Sequence, residues 1–212
     1  MARMMVHCNG NMICAIDTET TGLDPRYNEI WQICILPLDS DLKPNKDHHP
    51  FYLMMKPSRP EYINWEIPIF KRNKKKILDA INRGHDPEKA HDLLGEWIEK
   101  LELPTTKWGT PKKIMPLGQN YAFDKAFIQQ WLGMEQYEEW FDYHDRDTMV
   151  LANFFNDYAA FRGNPAPFAK VNLPWLCKQF NIVNSRAHDA LSDCVATADV
   201  YRNFCKKHIS QF

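Results

Sequence analysis

The chain has 212 residues, 44% of them hydrophobic and 25% charged, with a net charge of −1 at neutral pH. This length accommodates one α/β domain, or at most two small ones, around a substantial core. The balanced charge argues against a protein that coats long stretches of duplex but leaves room for one that grips a few nucleotides. Six cysteines (Cys8, Cys14, Cys34, Cys177, Cys194, Cys205) form no C-x-x-C pair and read as free thiols in a reducing compartment. No apolar run reaches the length of a membrane span, and "MARMMVHCNGN" lacks the apolar core of a signal peptide, so no membrane partner and a cytoplasmic location are expected.

In chain order, residues 11–17 predict a strand that is apolar from Met12 to Ile16 and ends on Asp17. "TGLDPRYN" supplies turn residues. "EIWQICILPLD" predicts a second strand buried on both faces, because its apolar residues run on without alternation, and "FYLMMKP" predicts a third. From about Lys74 the period turns helical: Ile77, Leu78 and Ile81, then Leu93, Leu94, Trp97, Ile98 and Leu101. The cluster "KRNKKK", 71–76, reads as a solvated helix start or loop, with a phosphate contact as its alternative. "KKIMPLGQN" predicts a fourth strand and "AFDKAFIQQWL" a helix just after it. "DTMVLANFFNDYAAF" predicts another helix, N-capped by Asp145 or Asp147. "GNPAPFAKVNLP" is a loop, "PWLCKQF" a short helix with proline in its first turn, and "HDALSDCVATADVYRNFCKKH" a final amphipathic helix. No internal repeat or low-complexity segment interrupts this order, and one domain over residues 1–212 is expected.

The strand that ends on Asp17 poses a physical problem. In "DTE", Asp17 and Glu19 stand at i and i+2, so in a strand they share a face. Two such carboxylates repel, and one pKa rises unless positive charge sits between them. A solvated strand end is one explanation; half of a divalent-metal site is the other. Asp124 falls in the first turn of the helix after the fourth strand, and Asp193 in the first turn of the last helix, where capping alone would explain either. His188 precedes Asp193 by five residues, about 500° of helical rotation. The two can meet only if His188 stands on the loop ahead of the helix.

The order of these signals carries the weight. D-x-E on an early strand, Asp after a later strand and H-x-x-x-x-D at the last helix together resemble the DEDDh family of 3′→5′ exonucleases. "DTETTGL" looks like its first motif, "QNYAFD" its second and "AHDALSD" its third, and the likeness spans residues 12 to about 205. The resemblance implies an α/β, ribonuclease H-like fold with a mixed five-stranded sheet flanked by helices. The tyrosine branch of the superfamily would have tyrosine where this chain has Asp189, so the histidine branch is indicated. Two departures stand out: Gln119 replaces a frequent histidine, and 58–76 matches the family's variable segment only loosely.

The resemblance further implies that Asp17, Glu19, Asp124 and Asp193 hold two divalent cations, Mg²⁺ or Mn²⁺, and that His188 is the general base. The residue types suit that chemistry: hard cations prefer oxygen ligands, and an imidazole of unperturbed pKa near 6.5 can take a proton from water near neutral pH. Thr20, Thr21 and Leu23 match positions that hold the 3′-terminal nucleotide, with Leu23 as an apolar wedge, and Asn120 and Phe123 are candidates to line its pocket. Trp65 is a candidate for stacking on a base or for the core. The expected partner is single-stranded DNA, with RNA as the alternative. A homodimer or polymerase association is also open, and no tail for docking a polymerase is expected after the last helix. An inactive binding module is the contrasting class, and the intact five-residue set argues against it.

Overall fold

Four consecutive apolar residues, Ile13 to Ile16, start the central strand β1 (Ile13–Thr20), and it continues through both candidate carboxylates rather than ending at the first. The computed structural model describes residues 10–206. Cys8 and the end of the expected final helix, Lys207 and His208, lie outside them. β2 (Ile30–Pro37) is buried along its whole length, as its unbroken apolar run predicts. β3 (Phe51–Met54), β4 (Met115–Gly118) and a two-residue β5 (Arg146–Asp147) complete a five-stranded sheet of order β3-β2-β1-β4-β5. β1 pairs antiparallel with β2 and parallel with β4; β2–β3 is antiparallel and β4–β5 parallel. This is the mixed, ribonuclease H-like sheet that was expected.

The strand alternation divides β1 between two cores. Cys14 and Ile16 pack with Ile33, Ile35 and residues of the helices α2 (Pro87–Glu99) and α3 (Tyr121–Leu132). Ile13 and Ala15 face the other way, with Cys34, Leu36 and the last helix, α7 (Ala190–Lys206). Ala190, Cys194 and Ala198 recur every four residues on α7, and these small side chains let the helix lie close on the sheet. Cys194 donates its thiol to the carbonyls of Ala15 and Cys34 at 3.4 and 3.6 Å. A third apolar cluster, from α5 (Thr148–Phe161), α6 (Leu173–Gln179) and the outer side of α7, backs that helix.

Several elements depart from the sequence reading. The helix expected from Lys74 is α1 (Pro68–Arg83), so 71–76 lies inside a helix and not at its start or in a loop. Proline opens it, and the apolar period is hidden by five cations in six residues. Ile77 of the expected apolar set is buried, whereas Leu78 is 40% exposed. α2 ends at Glu99, and Leu101 packs into the core just beyond it. A 3₁₀ turn (Pro60–Tyr62) and α4 (Met134–Trp140) were not anticipated, and the fifth strand was expected but not located; the turn and β5 are only three and two residues long.

Asp147, not Asp145, caps α5, accepting from Met149 N at 2.7 Å and from Val150 N. Its carboxylate also accepts from Asn120 N at 3.1 Å and Tyr121 N at 2.7 Å, so one side chain satisfies the orphan amides at the start of both α3 and α5. Asp147→Ala is expected to cost about 2–3 kcal/mol, more than an ordinary N-cap, because two helix starts lose their acceptor. Urea denaturation measures it; a loss below about 1 kcal/mol would contradict the shared-cap reading.

Candidate active site

Asp17 and Glu19 leave β1 on the face covered by α7, the side shared by Ile13 and Ala15. The pairing register shifts between Glu19 and Thr20, where Trp31 of β2 is passed over without a partner on β1. Between them, Thr18 points to the opposite face. Its amide and hydroxyl both donate to Asp124 Oδ1, at 2.8 and 2.7 Å, and fix this buried carboxylate of α3 against the strand.

α7 brings the remaining groups. Asp193, in its first turn, is also buried. It accepts from Asn184 Nδ2 through one oxygen and from the His188 amide at 3.0 Å through the other. His188 stands on the loop ahead of the helix, as the five-residue spacing requires, in the left-handed region at φ 65°. That backbone turn aims its amide at Asp193. Donor atoms of Glu19, His188 and Asp193 all lie within 4.8 Å of one another.

Burial and mutual repulsion act on the whole carboxylate set. Asp17 lies well above the usual carboxylate range, first through burial and then through Asp124, Glu19 and Asp193. Burial pushes Glu19 up to about 8; Asp193 adds to this and Lys76 opposes it. Asp124 is raised to about 7 by burial, against the bonds from Thr18, and burial also raises Asp193. All four groups thus share one electrostatic neighbourhood. Four carboxylates that repel one another, Asp124 and Asp193 buried and Asp17 and Glu19 half-buried, fit a divalent-metal site.

Residues that the sequence reading missed hold this arrangement. Asp189, buried at the start of α7, accepts from Tyr52 Oη at 3.1 Å and from Lys76 Nζ at 3.3 Å, and its carbonyl accepts from Asp193 N. Lys76 also donates to the His188 carbonyl at 3.3 Å. Gln32 of β2 donates to the Tyr52 oxygen and accepts from Ala190 N, closing the network on the sheet. The D-T-E alternation was the available signal for Thr18. Asn184, in an irregular loop, had none.

The substrate-binding candidates divide. Leu23 is 79% exposed at the turn after β1, a free apolar side chain. Thr20 and Thr21 are buried, and their hydroxyls bond to Gly22 O and Glu29 N, which shapes that turn. Gly22 leaves room there for the Asn28 side chain, which an added Cβ would meet at 2.2 Å and displace. Asn120 is exposed, with φ 61° at the start of α3, and Phe123 is half-buried against Phe127. Gln119 does structural work, donating to Val171 O at 2.9 Å and accepting from Thr148 at 2.7 Å. Trp65 packs on the cluster around Trp31 and Phe70, under Lys74, which favours its core reading.

No family model matches the chain. It is 22% identical over 199 residues to an oligoribonuclease of Neisseria meningitidis serogroup A, covering 92% of this chain and 90% of that protein. Among solved structures, E. coli exonuclease I in complex with a dT13 oligonucleotide is similar with a TM-score of 0.65 at 17% identity. That match covers 95% of this chain, which spans only 42% of the exonuclease I chain. Cell-death related nuclease 4 is similar with a TM-score of 0.64 at 16% identity, over 92% of this chain and 63% of its own. The relatives therefore agree with the resemblance to DEDDh exonucleases, and the solved structures share the fold.

The raised pKa values fix the sign of a pH effect. In the unfolded chain these carboxyls release protons near pH 4, whereas in the metal-free folded protein Glu19 and Asp124 hold them to about 8 and 7. The folded state therefore binds more protons across that window, and stability falls as pH rises from about 4 to 8. Asp17→Asn removes one of the repelling charges and is expected to raise the metal-free Tm at pH 8 by about 3–8 °C and to flatten the decline. Melting curves in EDTA from pH 5 to 8 check this; a pH-independent Tm would contradict it.

Proposed function

We propose that this chain is a single exonuclease domain that hydrolyses phosphodiester bonds from the 3′ ends of single strands and releases nucleoside 5′-monophosphates. The observation that carries the reading is the meeting of Glu19, His188 and Asp193 within 4.8 Å beside the electrostatically linked Asp17 and Asp124. Asp17, Glu19, Asp124 and Asp193 are the residues to hold two divalent cations, Mg²⁺ or Mn²⁺. When bound, such ions supply Lewis acidity that activates water and steadies a leaving 3′-oxygen. His188 takes the proton of the attacking water. Its ring already stands beside Glu19 and Asp193, so no large loop movement is needed to bring it in. Thr18 and Asn184 hold Asp124 and Asp193 in place, so both carboxylates meet their ligand pre-oriented.

Terminal action follows from the turn after β1. Leu23 stands clear of the core and serves as the wedge between the last two bases, while Thr20 and Thr21 set the backbone that receives the 3′-hydroxyl. Asn120 and Phe123 line the same pocket from the start of α3. DNA is the first choice of substrate; the oligoribonuclease relative favours RNA as the second reading. Labelled single-stranded DNA and RNA of matched sequence, digested in parallel with Mg²⁺ or Mn²⁺, separate the two.

With 3′-end label, radioactivity is expected to appear at once as mononucleotide; with 5′-end label, a ladder shortens gradually. Cleavage of circular strands as fast as linear ones would show an endonuclease and contradict the terminal pocket. His188→Asn, which tolerates the left-handed backbone, is expected to lose about 10²–10⁴-fold in single-turnover rate with little change in Mn²⁺ affinity. Asp193→Ala is expected to lose both. Near-normal turnover by His188→Asn with a lowered Tm would make the third motif structural.

A further inference from the structure

The basic segment 71–76 is the sequence feature that the proposed site leaves largely unexplained. On α1 the buried positions are Phe70, Asn73, Ile77 and Ala80, a three-four-three spacing that seats one face of the helix on the protein. Lys71, Arg72, Lys74 and Lys75 are therefore turned outward, and all four are exposed. They line a shallow groove with Leu78, Asp79 and Asn82. Among the described residues none of the four has a carboxylate partner; the nearby Asp79 is taken by Arg83 at 3.6 Å. Like charges three and four residues apart on a helix repel, so the ridge lowers helix stability unless an anion covers it. In a chain with 26 basic and 27 acidic residues, this is a local concentration of positive charge and not a general surplus.

The ridge is also connected to the candidate active site. Lys76, the next residue on α1, donates to the His188 carbonyl and to Asp189. From Lys76 the cations extend back along the helix for five residues, about 7.5 Å at the α-helical rise. A polyanion whose end lies beside His188 would thus meet Lys76 first and the outward cations next.

We propose that this face of α1 binds the phosphodiester backbone of the substrate strand upstream of the terminal nucleotide. The proposal rests on the exonuclease reading for the placement of the strand's end. Charge complementarity selects the occupant: closely spaced, unpaired lysines and an arginine suit successive phosphates and carry no base specificity.

The test is fluorescence anisotropy of a 5′-labelled 20-nucleotide oligothymidylate in EDTA, between 50 and 200 mM salt. The variant Lys71→Gln/Arg72→Gln/Lys75→Gln spares Lys74, which sits over Trp65, and Lys76, which touches the site. It is expected to bind at least 10-fold more weakly at 50 mM salt. Its log–log salt slope should be shallower by about 2, the value for three lost single-strand phosphate contacts. Lys71→Arg/Lys75→Arg should restore wild-type binding, and the cleavage rate of a dinucleotide should be the same in all three proteins, because it is too short to reach the ridge. Unchanged affinity and slope in the glutamine variant would overturn the proposal, as would ridge-dependent binding to anionic vesicles without ridge-dependent binding to the strand. Ridge-dependent strand binding in a protein that degrades no strand would uphold the ridge and sink the exonuclease reading instead.

Discussion

Asp17 and Glu19 project from one face of the central strand towards Asp193, with Asp124 held close by Thr18 between them, and this crowding of carboxylates governs the rest of the structure. The fold does little to neutralise them. It supplies hydrogen-bond donors instead: the Thr18 amide and hydroxyl on Asp124, and the Asn184 side chain and His188 amide on Asp193. These bonds favour the charged forms, but burial outweighs them, and the groups stay raised. A site that stores repulsion in its metal-free form and orients its oxygens is prepared for cations rather than for stability.

The placement depends on how closely α7 lies on the sheet. Small residues at Ala190, Cys194 and Ala198 permit that approach, and the same helix start then delivers Asp193 and the preceding His188 to the end of β1. The loop is not left to chance. Asp189 ties α7 to β3 through Tyr52 and to α1 through Lys76, and Gln32 anchors both the helix start and Tyr52 to the sheet. Lys76 joins the two cationic roles of α1: its amine steadies the His188–Asp189 junction, and its neighbours face outward.

Much of this was legible in the sequence where a period or a spacing carried the information. Unbroken apolar runs located β1 and β2, and the pairing of i with i+2 put Asp17 and Glu19 on one face. The five residues between His188 and Asp193 put the histidine ahead of the helix. The mixed five-stranded sheet came from the family resemblance, not from periodicity. What escaped was short or masked. β5 is two residues, too short for any alternation, and α4 is a two-turn helix separated from α3 only by Gly133. The start of α1 was hidden because lysines and arginine fill the positions from which a period is read. Tyr52 and Lys76 reach Asp189 from more than a hundred residues away, and Asn184 reaches Asp193 from an irregular loop, so no local pattern reveals contacts that only the tertiary fold makes.

The central claim is that the four carboxylates form a metal site whose groups are partly protonated until the cations arrive. Isothermal titration calorimetry of Mn²⁺ at pH 7, repeated in buffers of different ionisation enthalpy, measures the ions bound and the protons released together. The account predicts two ions per chain and release of about one proton or more on binding, since Glu19 and Asp124 titrate at about 8 and 7 in the metal-free protein. No saturable binding, or binding with no proton release, would contradict it.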